Sequence, residues 1–327
     1  MAKMTMIQAL NMALRQEMEK DDSVIVLGED VGVDGGVFRA TDGLIDSFGD
    51  QRVLDTPLAE SGIVGMSIGM ALYGLKPVCE IQFSGFSYLN FHQIESHASR
   101  MRWRSQGRFH VPMVLRTPYG GGVRALEHHS ESREAFWAHM PGLKMVIPSG
   151  PRNARALLVS AIRDPDPVIF YEAKALYRAF REEVPEEEEE TLPIGQSRIV
   201  REGKDVTLIS YGAMMRPTLE AAQELEDRSG IQAEVIDLLT ISPLDDDRFV
   251  ESVRKTGRAA VIHEAPTSFG PGAEIVSRIM EKAFYYLEAP ISRITGFDII
   301  IPLFSREKSY IPSAQRIVRS VHNMLNS

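Results

Sequence analysis

The sequence predicts an α/β protein of two domains, each built on a mainly parallel sheet flanked by helices. Three observations carry this reading. Short apolar runs alternate with segments of helical periodicity along the chain, the pattern that builds parallel sheets. Its 327 residues, 44% of them hydrophobic, suffice for two buried cores of ordinary size. Midway the composition shifts: seven glutamates fall between Glu182 and Glu190, and beyond them the alternation of strand and helix resumes.

In the first half, Thr5 and Gln8 have capping-box spacing, and Ile7, Leu10, Leu14 and Met18 repeat at helical intervals, so a first helix runs to Lys20. Val24 to Leu27 reads as a buried strand ending in Gly28-Glu29-Asp30, which puts two carboxylates where open parallel sheets carry ligands. Turn and capping roles explain the same two residues. Val31 to Gly49 reads as a long glycine-rich loop leading into a helix. A short strand, Val53 and Leu54, then meets Asp55-Thr56-Pro57, a helix start because proline lacks the N–H that a first turn leaves unpaired. That helix is expected to end near Gly74.

Within this helix Gly62, Gly65 and Gly69 share a face that admits a closely approaching backbone despite a cost of about 1 kcal/mol per glycine. Glu60 lies in its first turn. Favourable interaction with the helix dipole accounts for a carboxylate there; a role toward a ligand shared with a partner chain accounts for it equally well. Val78 to Phe83 is the next strand, Ser84 to Ser87 its turn, and a helix is expected from Tyr88 to Arg104, with Phe91, Ile94, Ala98 and Met101 on one stripe. Phe86 suits either a core or a flat ligand. His92 and His97 are five apart and should not share a helical face, which argues against a two-histidine metal site.

Met113 to Arg116 is a strand, followed by the glycine loop of Pro118 to Val123 and by Glu127-His128-His129-Ser130-Glu131. Adjacent histidines do not chelate one metal together, whereas a loop histidine beside glycines suits proton transfer as well as simple packing. Met145 to Pro148, a helix from Asn153 to Arg163, and Val168 to Glu172 complete the first domain. In the second, strands are expected at 206–212, 233–238, 259–262 and 291–295, with helices at 216–228 and 273–284. His263-Glu264 again ends a strand, in the service of chemistry or of a contact between domains or subunits.

Net charge is −9 with no basic stripe, so neither nucleic acid nor an anionic membrane is an expected partner. The acidic run reads as a solvated linker, with docking of a basic partner as the alternative. Cys79 is the only cysteine and sits in an apolar strand, where a thiol behaves as a small hydrophobe and makes a poor nucleophile. No apolar run reaches the length of a spanning helix, and the first residues lack a signal peptide's form, so a cytoplasmic location is expected.

Several motifs in fixed order carry a resemblance: GED at 28–30, DTPLAESGIVG at 55–65, EIQFSGF at 80–86, HHSES at 128–132, HMPGLKMVIPS at 139–149 and HEAP at 263–266. Together they resemble the β subunit of thiamine-diphosphate-dependent 2-oxoacid dehydrogenases, more closely the branched-chain members than the pyruvate ones. The resemblance implies a transketolase-like pyrimidine-binding domain at 4–179, an acidic linker at 180–194, and a transketolase C-terminal-like domain at 195–320. It also implies that Glu60 hydrogen-bonds the aminopyrimidine of thiamine diphosphate, that Phe86 stacks on that ring, and that Leu58 and Gln82 line its pocket. His129 is implied to assist acyl transfer to the lipoyl group of a dihydrolipoyl acyltransferase.

The family's Gly-Asp-Gly metal signature is absent, since Asp34-Gly35 and Asp42-Gly43 lack the preceding glycine. Magnesium and the diphosphate are therefore expected on an α subunit, within an α2β2 heterotetramer. A potassium site is implied at the main chain of Val111, Met113, Val114, Ala161 and Asp164 and at the side chain of Asp166, where asparagine is common. Glu131, and Ile299 to Ile301, also depart from the family pattern. The implied reaction is decarboxylation of a 2-oxoacid, branched-chain by preference; the alternatives are a pyruvate or acetoin dehydrogenase β subunit, a self-sufficient thiamine enzyme, and a non-catalytic assembly subunit.

Overall fold

A computed structural model describes residues 2–186 and 190–326. The chain forms two compact units that are not contiguous in sequence: Met1–Tyr119 with Phe136–Ile194, and Gly120–Ala135 with Gly195–Ser327.

In the first unit, α1 (Met6–Lys20) begins at the Thr5 capping box, in which Thr5 N–H donates to Gln8 Oε1 at 3.0 Å. Then follow β1 (Val24–Gly28), β2 (Val53–Asp55), α2 (Glu60–Leu72), β3 (Lys76–Glu80), β4 (Val114–Tyr119), β5 (Lys144–Val146), α3 (Pro151–Arg163) and β6 (Val168–Ala173). The six strands pair in parallel in the order β5-β6-β4-β3-β1-β2. Every residue of β1, β4 and β6 is buried, as a sheet covered on both faces requires. The chain runs from β1 out to β2 on one side and then to β3 on the other, so the strand order reverses around β1, and ligands in such sheets lie at the carboxyl ends beside the reversal.

The second unit has β7 (Arg198–Arg201), β8 (Val206–Ser210), α4 (Met215–Ser229), β9 (Ala233–Asp237), α5 (Asp246–Thr256), β10 (Ala259–Pro266), α6 (Pro271–Ala283), β11 (Ser292–Gly296) and α7 (Ala314–Leu325). Its sheet order is β11-β10-β8-β9-β7, parallel except for the edge strand β7. Two mainly parallel α/β sheets are therefore present, as the alternation of elements predicts.

Three local readings change. The helix expected from Tyr88 to Arg104 is broken into short pieces, a 3-10 turn at Ser84–Tyr88, a π turn at Ile94–Ala98 and single turns between and after them. Ser99 Oγ donates back to Glu95 O at 2.8 Å, and a Cβ on Gly142 would stand 2.1 Å from Ser99 O, so another stretch of backbone crosses there. In a π turn five residues make roughly one turn, so His92 and His97 do meet, with ring centroids 5.3 Å apart.

The helix expected to start at Pro57 starts instead at Glu60, leaving Pro57 and Leu58 in the approach to it. Finally, Glu182–Val184, within the stretch read as linker, pairs antiparallel with Ala2–Met4, while Glu187 to Glu189 lie outside the described residues. The carboxylate of Glu182 accepts Arg152 N–H at 3.0 Å and that of Glu190 accepts Arg152 Nε at 2.9 Å, so that part of the acidic run is tied to α3 rather than simply solvated.

Candidate functional site

The carboxyl ends of β1, β2 and β3 gather the expected cofactor residues of the first unit. Glu60 opens α2 directly after β2 and is buried, and its Oε2 has no hydrogen-bond partner among the described residues. A buried carboxylate oxygen without a partner costs of order 1–3 kcal/mol, more when charged, which a donor on a ligand would recover. Gln82, just past β3, gives its Nε2–H to Asp30 at 2.9 Å. Phe86 packs edge to face on Phe83 at 5.6 Å, and Phe83 on Phe38 at 5.7 Å. Leu58 is 71% exposed, a loss of apolar burial unless something covers it.

Glu29 and Asp30, equally explicable as turn residues, belong to this group. Burial pushes the Glu29 carboxyl up from its ordinary value, and the charges of Asp30 and Glu60 push it further. Asp30 has φ 58°, so the chain turns sharply as it leaves β1. The loop beyond is held on Asp55, whose oxygens accept Gly32 N–H at 2.6 Å and Val33 N–H at 3.0 Å.

Beneath this end of the sheet lies a buried network that sequence reasoning missed. The Arg116 guanidinium, from β4, reaches Glu172 Oε1 at 2.7 Å and Oε2 at 3.0 Å and Glu80 Oε2 at 2.9 Å, and the Tyr177 hydroxyl donates to Glu172 at 2.6 Å. Glu80, Arg116 and Glu172 are all fully or nearly fully buried. Burial raises the Glu80 carboxyl, opposed by the Arg116 charge. A Cβ on Gly36 would stand 3.3 Å from Glu80 Oε1, and Tyr177 packs on Phe38 at 5.1 Å. The network thus underlies both the loop after β1 and the aromatic group that includes Phe86. A strand reading as apolar with a single arginine was the only signal available.

The stretch from Val111 to Val114 and the turn from Ala161 to Asp166 both belong to the first unit. Val111 O and Met113 O accept N–H groups from Met113 and Val168 at 2.8 and 3.0 Å, Val114 O accepts the Cys79 thiol at 3.5 Å, and Ala161 O accepts Asp164 N–H at 3.3 Å. The side chains are already engaged: Lys144 Nζ lies 2.7 Å from Asp164 and 3.7 Å from Asp166, and Arg102 Nε lies 2.6 Å from Asp166. Cys79 is fully buried, and burial pushes its thiol up to about 12, so it is no nucleophile.

In the second unit, His129 sits at the end of a single 3-10 turn, Glu127–His129, with its ring 4.3 Å from that of His128. His129 N–H donates to Leu126 O at 3.1 Å, and Gly120 N–H closes the loop on Glu131 O at 3.0 Å. His263 is held in the interior of the second unit. It is fully buried, its Nε2 accepts Gly272 N–H at 3.2 Å at the start of α6, and burial pushes its imidazole down to about 4. Its neighbour Glu264 accepts Gly121 N–H at 2.9 Å.

A cavity of about 520 Å³ in this unit is lined by Ser130 to Arg133, Glu264, Ile299 to Ile301 and Tyr310. The two sequence departures, Glu131 and Ile299 to Ile301, therefore meet at one place. Close by, burial pushes the Glu134 carboxyl up to about 8, with the Glu264 charge adding to the rise. A carboxyl raised on folding stabilises the fold below its unfolded pKa and loses that contribution as pH climbs to its folded value. Glu134→Gln is accordingly expected to be more stable than wild type, by an amount that grows at up to ~1.4 kcal/mol per pH unit above the carboxyl's ordinary range. The gain should level off near pH 8; thermal melts from pH 5 to 9 showing a gap independent of pH would contradict it.

Comparison with known proteins places this geometry in a family. Residues 2–179 match the pyrimidine binding domain of transketolase, and residues 195–317 match its C-terminal domain. The chain is 50% identical over 324 residues to a pyruvate dehydrogenase E1 component subunit beta from Acholeplasma laidlawii, covering 99% of this chain and 98% of that one. It is also 50% identical over 325 residues to the protein of that description from Bacillus subtilis, covering 99% of both. A solved structure described as a split gene transketolase, inactive beta4 tetramer, shares the fold with a TM-score of 0.82 at 21% identity over 99% of both chains. With both domain matches and relatives of this identity along its length, the chain belongs to the β subunits of thiamine-diphosphate-dependent 2-oxoacid dehydrogenases.

Proposed function

We propose that this chain binds the pyrimidine half of thiamine diphosphate at Glu60, Gln82, Phe86 and Leu58 and, joined to an α subunit, decarboxylates pyruvate and passes the acetyl group to a lipoyl domain. The single observation that carries the reading is the buried, unpartnered Glu60 Oε2 at the carboxyl end of the parallel sheet, an acceptor that fits a ring N–H. Phe86 offers a ring face, Gln82 is held in place by Asp30, and the exposed Leu58 has apolar surface to give. The chemistry such a cofactor supplies is an electron sink for the carbon that loses CO₂. Glu60 holds and returns a proton at the pyrimidine; Phe86 and Leu58 orient the ring and exclude water. In acyl transfer the lipoyl S–S bond breaks, one sulfur taking the acyl carbon and the other a proton, and His129 is the group proposed to move that proton.

The α subunit is supported by two observations. The sequence lacks Gly-Asp-Gly, the family's magnesium and diphosphate signature, which supports a second chain holding that end of the cofactor. The face of α2 that carries Gly62, Met66, Gly69 and Tyr73 is also open: Met66 is 41% and Tyr73 91% exposed, and a Cβ on Gly69 would meet nothing within 4 Å. A helix with no charged side chain after Glu60 leaves that face suited to close packing by a partner in an α2β2 assembly. A potassium ion on the Val111, Met113, Val114, Ala161, Asp164 and Asp166 set would be structural, sharing Asp166 with Arg102 and Lys144. No described helix is long and apolar enough to cross a membrane, and the single buried thiol suits a reducing cytoplasm.

The names of the relatives favour pyruvate over the branched-chain substrate toward which the sequence motifs lean. Pyruvate, 2-oxobutyrate and branched 2-oxoacids offered to the reconstituted α/β pair decide the matter. Pyruvate is expected to give the highest kcat/KM; a preference for a branched acid would overturn the substrate assignment and leave the family untouched.

A further inference from the structure

The arm that leads to His129 rests on two carboxylates from the C-terminal half of the chain. Gly121 N–H donates to Glu264 Oε2 at 2.9 Å, Gly122 N–H to Glu307 Oε1 at 2.9 Å, and Arg124 N–H to Glu307 Oε2 at 3.1 Å. Both glutamates are 3% exposed. Glu307 has no ion-pair partner among the described residues, so these main-chain donors alone compensate its charge. The contact leaves no slack: a Cβ on Gly120 would stand 2.4 Å from Glu264 Oε1, and one on Gly121 would stand 2.9 Å from Ile301 Cδ1. Gly120, Gly122 and Arg124 all have positive φ, at 79°, 91° and 58°, so the arm curls its N–H groups inward toward the acceptors.

At the other end the loop closes two residues beyond His129, where Gly120 N–H meets Glu131 O, and Ser130 Oγ donates to Leu126 O at 3.0 Å. Nothing in a plain surface loop calls for burying a carboxylate with no cation beside it, since such a group costs several kcal/mol unless strong donors compensate it. Hydrogen bonds to an ionised acceptor are roughly twice as strong as neutral ones, which makes the arm stiff as well as bound.

We infer that Glu307, assisted by Glu264, is a positioning residue for His129: by gripping the main chain of Gly121, Gly122 and Arg124 it fixes the loop that presents the imidazole for acyl transfer. The inference rests on the role proposed above for His129, and it adds two residues of the C-terminal domain to that step. Glu307→Gln tests it with little change of shape. An amide oxygen in the place of Oε1 still accepts Gly122 N–H at 2.9 Å and Arg124 N–H at 3.3 Å, but the bond from Arg124 N–H to Oε2 at 3.1 Å and the acceptor's charge are lost, which loosens the grip on the arm.

The experiment uses the reconstituted α/β enzyme and separates two partial reactions: 2-oxoacid decarboxylation read with an artificial electron-accepting dye, and reductive acylation of a free lipoyl domain. Glu307→Gln is expected to slow acylation roughly 10- to 100-fold, the scale of an ångström-sized misplacement, while dye-linked decarboxylation changes little. Glu264→Gln should show the same split to a smaller degree, and His129→Ala the same split in full. If His129→Ala spares acylation, the role of His129 falls and this inference with it. If His129→Ala shows the split and Glu307→Gln spares acylation, or lowers both reactions together, the inference alone falls. Should the Glu307→Gln chain fail to assemble, the split is required of Glu264→Gln, and its absence there overturns the inference.

Discussion

Glu60→Ala, assayed in the assembled α/β enzyme, is expected to lose about 100- to 10,000-fold in 2-oxoacid decarboxylation, the range spanned by a single positioned acid–base group. Glu60→Gln should lose nearly as much, because the amide can bond a ring N–H but cannot take a proton. Neither change should cost stability. The wild-type carboxylate is buried with one oxygen unpartnered, a site at which function is maintained against folding, so both variants should melt at or above the wild-type temperature. The pairing of outcomes matters: activity lost together with stability would mark Glu60 as a structural residue, and turnover close to wild type would remove it from the chemistry altogether.

The second large effect is expected in the first unit's core. Arg116→Ala leaves Glu80 and Glu172 buried with their shared cation gone, and should destabilise by about 3–5 kcal/mol, the cost of breaking a buried pair by removing one partner. Replacing Arg116, Glu80 and Glu172 together by apolar residues of similar volume should cost far less, because no charge is then stranded. The sign with pH follows from the direction of the shift. The Glu80 carboxyl is raised by burial even with Arg116 present, whose charge opposes the rise, so without the arginine it rises further. Such groups favour the folded state at low pH and oppose it as pH climbs through their folded pKa. The Arg116→Ala deficit should therefore shrink on acidification toward pH 5 and widen toward neutrality. Denaturant melts across that interval measure it, and a deficit that is constant or grows toward acid would exclude a charge-stranding mechanism.

The two cases differ in how they could be known in advance. Glu60 could be singled out from the chain because its position, at the start of a helix after a short strand and followed by glycines at 62, 65 and 69, is a one-dimensional pattern. The Glu80–Arg116–Glu172 network could not be found in this way. Its members stand on three strands separated by 36 and 56 residues, and only the pairing of β3 with β4 and of β4 with β6 brings them side by side. The same holds for Glu264 and Glu307, which reach glycines 143 and 185 residues away. The histidines at 92 and 97 show the opposite error. A helical wheel separated them because it assumes 3.6 residues per turn, whereas the chain makes a π turn at Ile94–Ala98, and the backbone approach of Gly142 to Ser99 beside it is recorded by no local pattern.

By itself the sequence determined the α/β class, the alternation of strands and helices, the capped first helix, the inert buried thiol and the family motifs, because each is set by local periodicity, turn chemistry or residue type within a short window. Tertiary structure alone decided that Glu60 keeps a buried oxygen unpartnered, that an arginine between two glutamates supports the loop beside it, and that the loop carrying His129 groups with the C-terminal half. Those outcomes depend on hydrogen-bond partners and desolvation supplied by residues far apart along the chain, and burial changes the energy of a charge by more than any local propensity can.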